Sequence, residues 1–251
     1  MTSETCKLKR YLIRFLRAVK LVFGLYKKVE FHDPVRTQPI SRLFGIDRGM
    51  PIDRYYIEKF LAAHSHDISG CILEIAEDTY ARKFADLQSR ETTVFETLHV
   101  DGSGKPSTIT GDLSKPASLP GNRYDCFICT QTYNFIYDVK QAIAGTHRLL
   151  KNDGIVLATV AGISQVSRYD MDRWGDYWRF TSQSALQLFE AEFGKGQVEV
   201  VTYGNVLAAK AFLDGLAVED LPDQALLDET DPDYPVIIGI RAHKVTREKQ
   251  S

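Results

Sequence analysis

Residues 71–80 read Cys-Ile-Leu-Glu-Ile-Ala-Glu-Asp-Thr-Tyr, and this stretch decides the fold class. Cys71 to Ile75 is a short apolar run closed by the acid Glu74 and its neighbour, which suits a buried strand running into the loop Ala76-Glu77-Asp78-Thr79-Tyr80. Thr79 to Leu87 reads as the helix that follows. The alternation then repeats along the chain. Strands are expected at Thr92 to Glu96, Ser107 to Thr110, Tyr124 to Thr130, Gly154 to Val160, Gln197 to Tyr203 and Tyr234 to Lys244. Helices are expected at Tyr137 to Leu150, Ser182 to Phe193 and Val206 to Leu216, with a turn at Asn152-Asp153-Gly154 and a surface loop from Glu219 to Asp233. Strands alternating with helices imply a mostly parallel, doubly wound α/β sheet of Rossmann-like type, covered on both faces.

Upstream of the deciding stretch, Pro51 opens a helix from Ile52 to His64. Before it lies a polar linker with Pro34 and Pro39, and before that a compositional anomaly. Residues 1–28 hold eight Lys/Arg against the single acid Glu4. Within 7–24, Leu8, Leu12, Phe15, Val19 and Val22 share one helical face while Arg10, Arg14 and Arg17 lie opposite. This is a basic amphipathic helix, too charged for a membrane span and without the cleavage site of a signal peptide. Two readings stay open for it: contact with an anionic bilayer or a partner protein, or packing on its own domain with the basic face in water.

In 251 residues, 44% hydrophobic and 25% charged, one sizeable core fits and a second full domain does not. A formal charge of −2 gives no general attraction for nucleic acid. The cysteines fit a reducing cytoplasm. Cys126 and Cys129 form a C-x-x-C, but no second pair or histidine cluster completes a zinc site, so both read as strand residues and no metal is expected.

In a doubly wound sheet, ligands bind beyond the carboxyl ends of the strands. Glu74 and the loop Ala76, Glu77, Asp78 and Tyr80 close the first strand. Glu96, 22 positions later, is expected to close the second and to accept hydrogen bonds from both hydroxyls of a ribose, with His99 beside it. Asp112 after the third strand suits an exocyclic amine and Leu113 the face of a purine ring; Thr130 and Gln131 follow the fourth. The three carboxylates Glu74, Glu96 and Asp112 are expected to converge on one cleft. The segment Ser164 to Thr181 is densest in polar and aromatic groups. Arg168, Tyr169, Arg173, Trp174, Tyr177, Trp178 and Arg179, with Tyr133, are candidates to hold an acceptor, and one of Asp170, Asp172 and Asp176 is a candidate base.

The sequence resembles the class I S-adenosylmethionine-dependent methyltransferases, in particular bacterial members found with enzymes of sugar and polysaccharide biosynthesis. The resemblance runs from Arg48 to Lys244 through the phrases PIDRYYIEKFL, ILEIAEDTYARKF, GDLSKP, TQTYNFIYD, LLKNDGIVLATVAGISQVSRYDMDRWGDYWRFT, GNVLAAKAFL and DPDYPVIIGIRA. It implies a seven-stranded sheet whose last strand is antiparallel, a methyltransferase domain over 48–251 preceded by the basic helix and linker of 1–47, and S-adenosylmethionine as cofactor over the first two strands. It also implies an acceptor above the fourth and fifth strands, and O-methylation of a sugar or glycan precursor by in-line displacement. The family usually has glycine directly after the Glu-Ile pair; here Ala76 stands there, followed by two acids that favour a sulfonium and repel a carboxylate.

A second function from another class is a methyltransferase-like scaffold without catalysis, partnering a membrane-associated glycosyltransferase through residues 7–24 at the inner face of the membrane. A nicotinamide dehydrogenase is the weaker choice, because the G-x-G-x-x-G turn is absent.

Overall fold

The structure is a computed structural model that describes residues 36–85, 93–101 and 108–245. The basic helix expected at 7–24 lies outside the described residues. Everything below belongs to the compact unit Pro39–Ser251. Among the described residues no helix is long and apolar enough to cross a membrane.

The strands are β1 (Cys71–Ile75), β2 (Val94–His99), β3 (Ile109–Thr110), β4 (Tyr124–Thr130), β5 (Leu150–Ala161), β6 (Val198–Tyr203) and β7 (Ile237–His243). They form one sheet in the order β3-β2-β1-β4-β5-β7-β6. The first five pair in parallel, and β7 runs antiparallel between β5 and β6. This is the seven-stranded Rossmann-like arrangement with an antiparallel last strand that the sequence implies.

The helices are α1 (Ile52–Ala63), α2 (Thr79–Phe84), α3 (Val139–Leu149), the short α4 (Arg168–Met171), α5 (Ser182–Phe193) and α6 (Val206–Leu213). Several start where a side chain satisfies the free N–H groups of the first turn. Asp138 accepts from Gln141 N, Asn205 accepts from Ala208 N, and Thr181 forms a capping box with Ser184. One face of the sheet packs β4 and β5 residues such as Phe127, Cys129 and Val156 against Ile143 of α3 and Phe189 of α5. The other face buries Ile72, Cys126 and Leu157 under Phe60 and Leu61 of α1. Cys126 and Cys129 therefore point to opposite cores, as alternating strand residues must. Burial pushes both thiols up, Cys129 to about 12.

Three local expectations change. The second strand starts and ends later than Thr92 to Glu96, because Leu98 and His99 pair with Ile109 and Thr110 and extend it. The turn at Asn152-Asp153-Gly154 is instead a kink inside β5: Asp153 has φ +62, its N–H donates to Lys244 O, and Lys244 N donates to Gly154 O, so the sheet continues through the kink. The acidic stretch 219–233 is partly anchored. Leu221 and Leu227 are buried, and Asp220 and Asp228 pair with Arg48 and Lys59. Within the same unit, Ile40 N and Ser41 N donate to Asp214 O, which ties the chain ahead of α1 to the end of α6.

Candidate active site

Parallel pairing sets the carboxyl ends of β1, β2, β3 and β4 side by side, and a cavity of about 600 Å³ opens there. Each strand end contributes: Ile75 and Ala76 from β1, His99 and Val100 from β2, Asp112, Leu113 and Ser114 after β3, Gln131 and Thr132 after β4. Its outer wall comes from Tyr137 and from Tyr169, Asp170, Arg173, Trp174 and Tyr177. A second cavity of about 860 Å³ lies over β4 and β5, walled by Leu43, Phe44 and Ile46, by Asp53 and Arg54 of α1, by Tyr80, and by Arg168, Asp176 and Arg179. Gln131, Phe135, Tyr169 and Asp170 border both cavities.

The backbone at the two central strand ends is unusual. Ala76 sits at φ +63 and Gln131 at φ +47, in the left-handed region that disfavours a side chain. Ala76 adopts it because its N–H donates to Leu98 O of the neighbouring strand while Glu77 N turns back to Ile75 O. A glycine would take this conformation without strain.

Of the candidate cofactor residues, Ala76, His99, Asp112, Leu113 and Gln131 line the smaller cavity; Tyr80 and Thr130 line the larger. His99 has Nδ1 2.8 Å from the Asp101 carboxylate and its ring edge-on to Trp174 at 6.2 Å. Asp112 accepts from Ser114 N at 2.9 Å and Ser114 Oγ at 2.7 Å, with Lys115 Nζ at 3.0 Å. Partial burial works against its ionisation, but the Ser114 and Lys115 donors prevail and hold the carboxyl below its usual range. It is a fixed negative charge at the cavity wall.

The expected convergence of Glu74, Glu96 and Asp112 does not occur. Glu74 is 4% exposed and stitches β1 to α2, accepting from Ala81 N at 2.7 Å and Tyr80 N at 3.2 Å. Glu96 is 8% exposed and lies mid-strand opposite Leu73, three residues before the end of β2 and roughly 10 Å below the carboxyl edge. It accepts from Tyr124 Oη at 2.6 Å and from the Arg123 guanidinium, so it locks β2 to the start of β4. Only Asp112 reaches the hollow. Glu77 and Asp78 also point elsewhere: Thr79 Oγ1 donates to Glu77 at 3.3 Å, and Arg82 neutralises Asp78 at 2.7 Å.

On the acceptor side, Tyr133 is a core residue. It is fully buried, 2.6 Å from Thr146 Oγ1 and edge-on to Phe189. Trp178 braces the wall, stacking on Tyr137 and donating its indole N–H to Ile136 O and Tyr137 O. Arg173 lies over the Tyr169 ring at 3.6 Å. Asp172 lines neither cavity and sits 3.5 Å from Arg168 on the surface. Asp176 has both oxygens on the Arg179 guanidinium, at 2.6 and 2.9 Å; despite desolvation, that pairing keeps its carboxyl low and commits it to holding the segment together. Asp170 alone of the three borders both cavities.

Sequence reasoning missed Asn134 and Phe135, whereas Asp53 and Arg54 fall in the stretch Arg48 to Tyr56, which reads either as a cap over the cofactor or as a helix start packed on the sheet; both line the larger cavity. Asp53 reads as an ordinary acid in the first turn of a helix, yet desolvation at the cavity wall pushes its carboxyl up to about 6. Asn134, directly after a strand, was legible only as a loop residue, whereas it is 2% exposed.

Residues 64–158 match the family profile described as a methyltransferase domain. Among solved structures, a SAM-dependent methyltransferase from Archaeoglobus fulgidus is 11% identical, covering 76% of this chain and 94% of that one, with TM-score 0.49. An S-adenosylmethionine-dependent methyltransferase from Mesorhizobium loti is 14% identical over 80% of this chain and 100% of that one, with TM-score 0.47. Phosphoethanolamine N-methyltransferase 2 of Haemonchus contortus, solved with S-adenosyl-L-methionine, is 12% identical over 80% and 59%, with TM-score 0.47. No curated protein sequence matches. The profile match over 64–158 and the order of the sheet are those of a methyltransferase domain. That domain makes the protein an S-adenosylmethionine-dependent methyltransferase, with S-adenosylmethionine as its cofactor. The smaller cavity fits such a ligand in size and in lining, with apolar Ile75, Leu98 and Leu113 beside the charged Asp112.

Two outcomes are expected. Glu96→Ala leaves Tyr124 and Arg123 without their acceptor and lowers unfolding free energy by about 1–3 kcal/mol in urea titrations, while the Kd for S-adenosylmethionine by calorimetry stays within about twofold; a large loss of affinity in folded protein would return Glu96 to the binding site. The raised carboxyls of Asp53 and Glu74, at about 6 and about 7 against ordinary values of 3.8 and 4.5, bind protons more tightly folded than unfolded. Stability therefore rises as pH falls from about 7 toward about 4 on their account. Relative to Asp53→Asn, the wild type gains stability over the lower part of that range; a difference independent of pH contradicts it.

Proposed function

We propose that the enzyme methylates a hydroxyl oxygen of a sugar or glycan precursor seated in the larger cavity. The observation that carries this reading is the shared wall: Gln131, Phe135, Tyr169 and Asp170 border both cavities, so a ligand in each meets the other at those residues. S-adenosylmethionine supplies an electrophilic methyl group on a sulfonium. Asp112, Leu113 and His99 would hold its adenosine end, and the rings of Tyr169 and Trp174 with the Asp170 carboxylate suit the cationic end. The larger cavity combines aromatic faces, Tyr169 and Phe135, with Arg54, Arg168 and Gln165, a lining suited to a hydroxylated ring that carries an acidic group.

In-line displacement depends on alignment, which supplies about 7–11 kcal/mol when the reacting groups are held in register. Ser167 Oγ donates to Asp170 Oδ2 at 2.5 Å, which fixes that carboxylate and leaves its other oxygen for the acceptor hydroxyl. Asp170 is therefore the base of this reading, and Asp172 and Asp176 are not.

With labelled cofactor and a panel of nucleotide sugars and lipid-extracted glycan precursors, label is expected in a sugar hydroxyl. Asp170→Asn is expected to lower turnover by about 10²–10⁴, with S-adenosylhomocysteine still bound. Transfer to nitrogen or carbon acceptors alone, or full turnover in Asp170→Asn, contradicts the reading.

A further inference from the structure

Asn134 sits in the turn Tyr133–Phe135 after β4, lines the larger cavity and is 2% exposed. Its side-chain oxygen and nitrogen and its main-chain oxygen are all engaged. Oδ1 accepts from Ala161 N at 3.2 Å, Nδ2 donates to Gln131 Oε1 at 3.0 Å, and the main-chain oxygen accepts from Tyr177 N at 2.9 Å and Trp178 N at 3.2 Å. A buried amide with this many partners is costly to leave half-satisfied, and the partners come from three parts of the site: Ala161 at the end of β5, Gln131 after β4, and the Tyr177-Trp178 wall.

The orientation of the two amides follows from chemistry. A main-chain N–H only donates, so the group facing Ala161 N must be the Asn134 oxygen, which leaves the Asn134 NH₂ for Gln131. That NH₂ requires an acceptor, so Gln131 presents Oε1 to it and turns Nε2 toward Thr159, where Nε2 donates to Oγ1 at 3.2 Å. Gln131 N also donates to Thr159 O at 2.8 Å, fixing the left-handed backbone there. One N–H of the Gln131 NH₂ remains uncommitted at the wall common to both cavities.

We infer that Asn134 is the positioning residue of the site: through its side chain it sets which atoms Gln131 offers to a bound cofactor, and through its main-chain oxygen it pins the Arg168–Arg179 wall at the same point. The assignment rests on the smaller cavity taking the cofactor and does not depend on the identity of the acceptor. Asn134 lines the larger cavity and does not border the smaller one. It acts through Gln131, and that makes the role separable from a general contribution to folding.

The test is a double-mutant cycle on S-adenosylhomocysteine affinity, measured by calorimetry on folded full-length protein, with Asn134→Ala, Gln131→Ala and the pair. Asn134→Ala is expected to weaken binding about tenfold, Gln131→Ala by a similar factor, and the pair by no more than either alone, because both remove one unit. Asn134→Asp keeps the acceptor for Ala161 but forces the Gln131 amide to turn over, so its affinity is expected to fall between wild type and Asn134→Ala. Should Asn134→Ala fail to fold, the Asn134→Asp and Gln131→Ala cycle carries the same test. Unchanged affinity in a folded Asn134 variant, or losses that multiply in the pair, overturns the assignment. A positive cycle alongside failure to label any sugar would sink the acceptor reading and leave Asn134 in place.

Discussion

The parallel pairing of β1 against β2 on one side and β4 on the other is the constraint on which the rest of the molecule depends. It registers Ile75 with Leu98 and Glu74 with Ile128, so three strand ends finish at nearly one level. Chain leaving that edge must turn at once or run out into solvent. At Ala76 and Gln131 it turns through a left-handed residue, each stabilised by an N–H that donates to the adjacent strand, Leu98 O in one case and Thr159 O in the other. The cavity is the space those two turns leave between them. Asp112 and Leu113 close it on the β3 side, and the Tyr169–Tyr177 wall closes it from above.

The buried polar groups divide into those that make the sheet edge and those that face it. Glu74 ties β1 to α2, Glu96 ties β2 to β4, and Asp67 holds Arg241 of β7. Lys244 is another such tie, with Nζ between Asn122 Oδ1, His147 O and Leu150 O. Desolvation lowers its proton affinity, and neutral acceptors offset part of that cost. None of these groups lines either cavity. Asp112, His99, Asp53 and Asp170 do border the cavities, and each takes its place from a strand end or loop at the carboxyl edge or from the first turn of a helix.

The fold was legible because its signals are cooperative. Apolar runs such as Tyr124 to Thr130, and a helix start such as Pro51, fix element type whatever the exact bounds. The site was legible only where a strand end was read correctly. Placing the end of β2 at Glu96 rather than His99 put a sheet-locking acid in the ribose position, since nothing local reveals that Leu98 and His99 gain partners from β3. Tyr133 and Asn134 were misread or missed for a related reason: burial after a strand is decided by what packs above it, here α5 through Phe189 and the wall through Tyr177 and Trp178. The 164–181 segment was recognised by composition. Its division into cavity-lining Tyr169, Asp170 and Trp174 and self-bracing Asp176, Trp178 and Arg179 is a tertiary fact.

The central claim is that one ligand-binding hollow lies at the carboxyl edge between β1 and β4. Hydrogen exchange of the backbone amides with and without saturating S-adenosylhomocysteine tests it most directly. Slowed exchange is expected around 76–77, 98–101, 111–114, 131–137 and 169–177, with no change around Glu96, Arg123 and Tyr124. Protection centred on the latter group, with the carboxyl-edge loops unaffected, would contradict it.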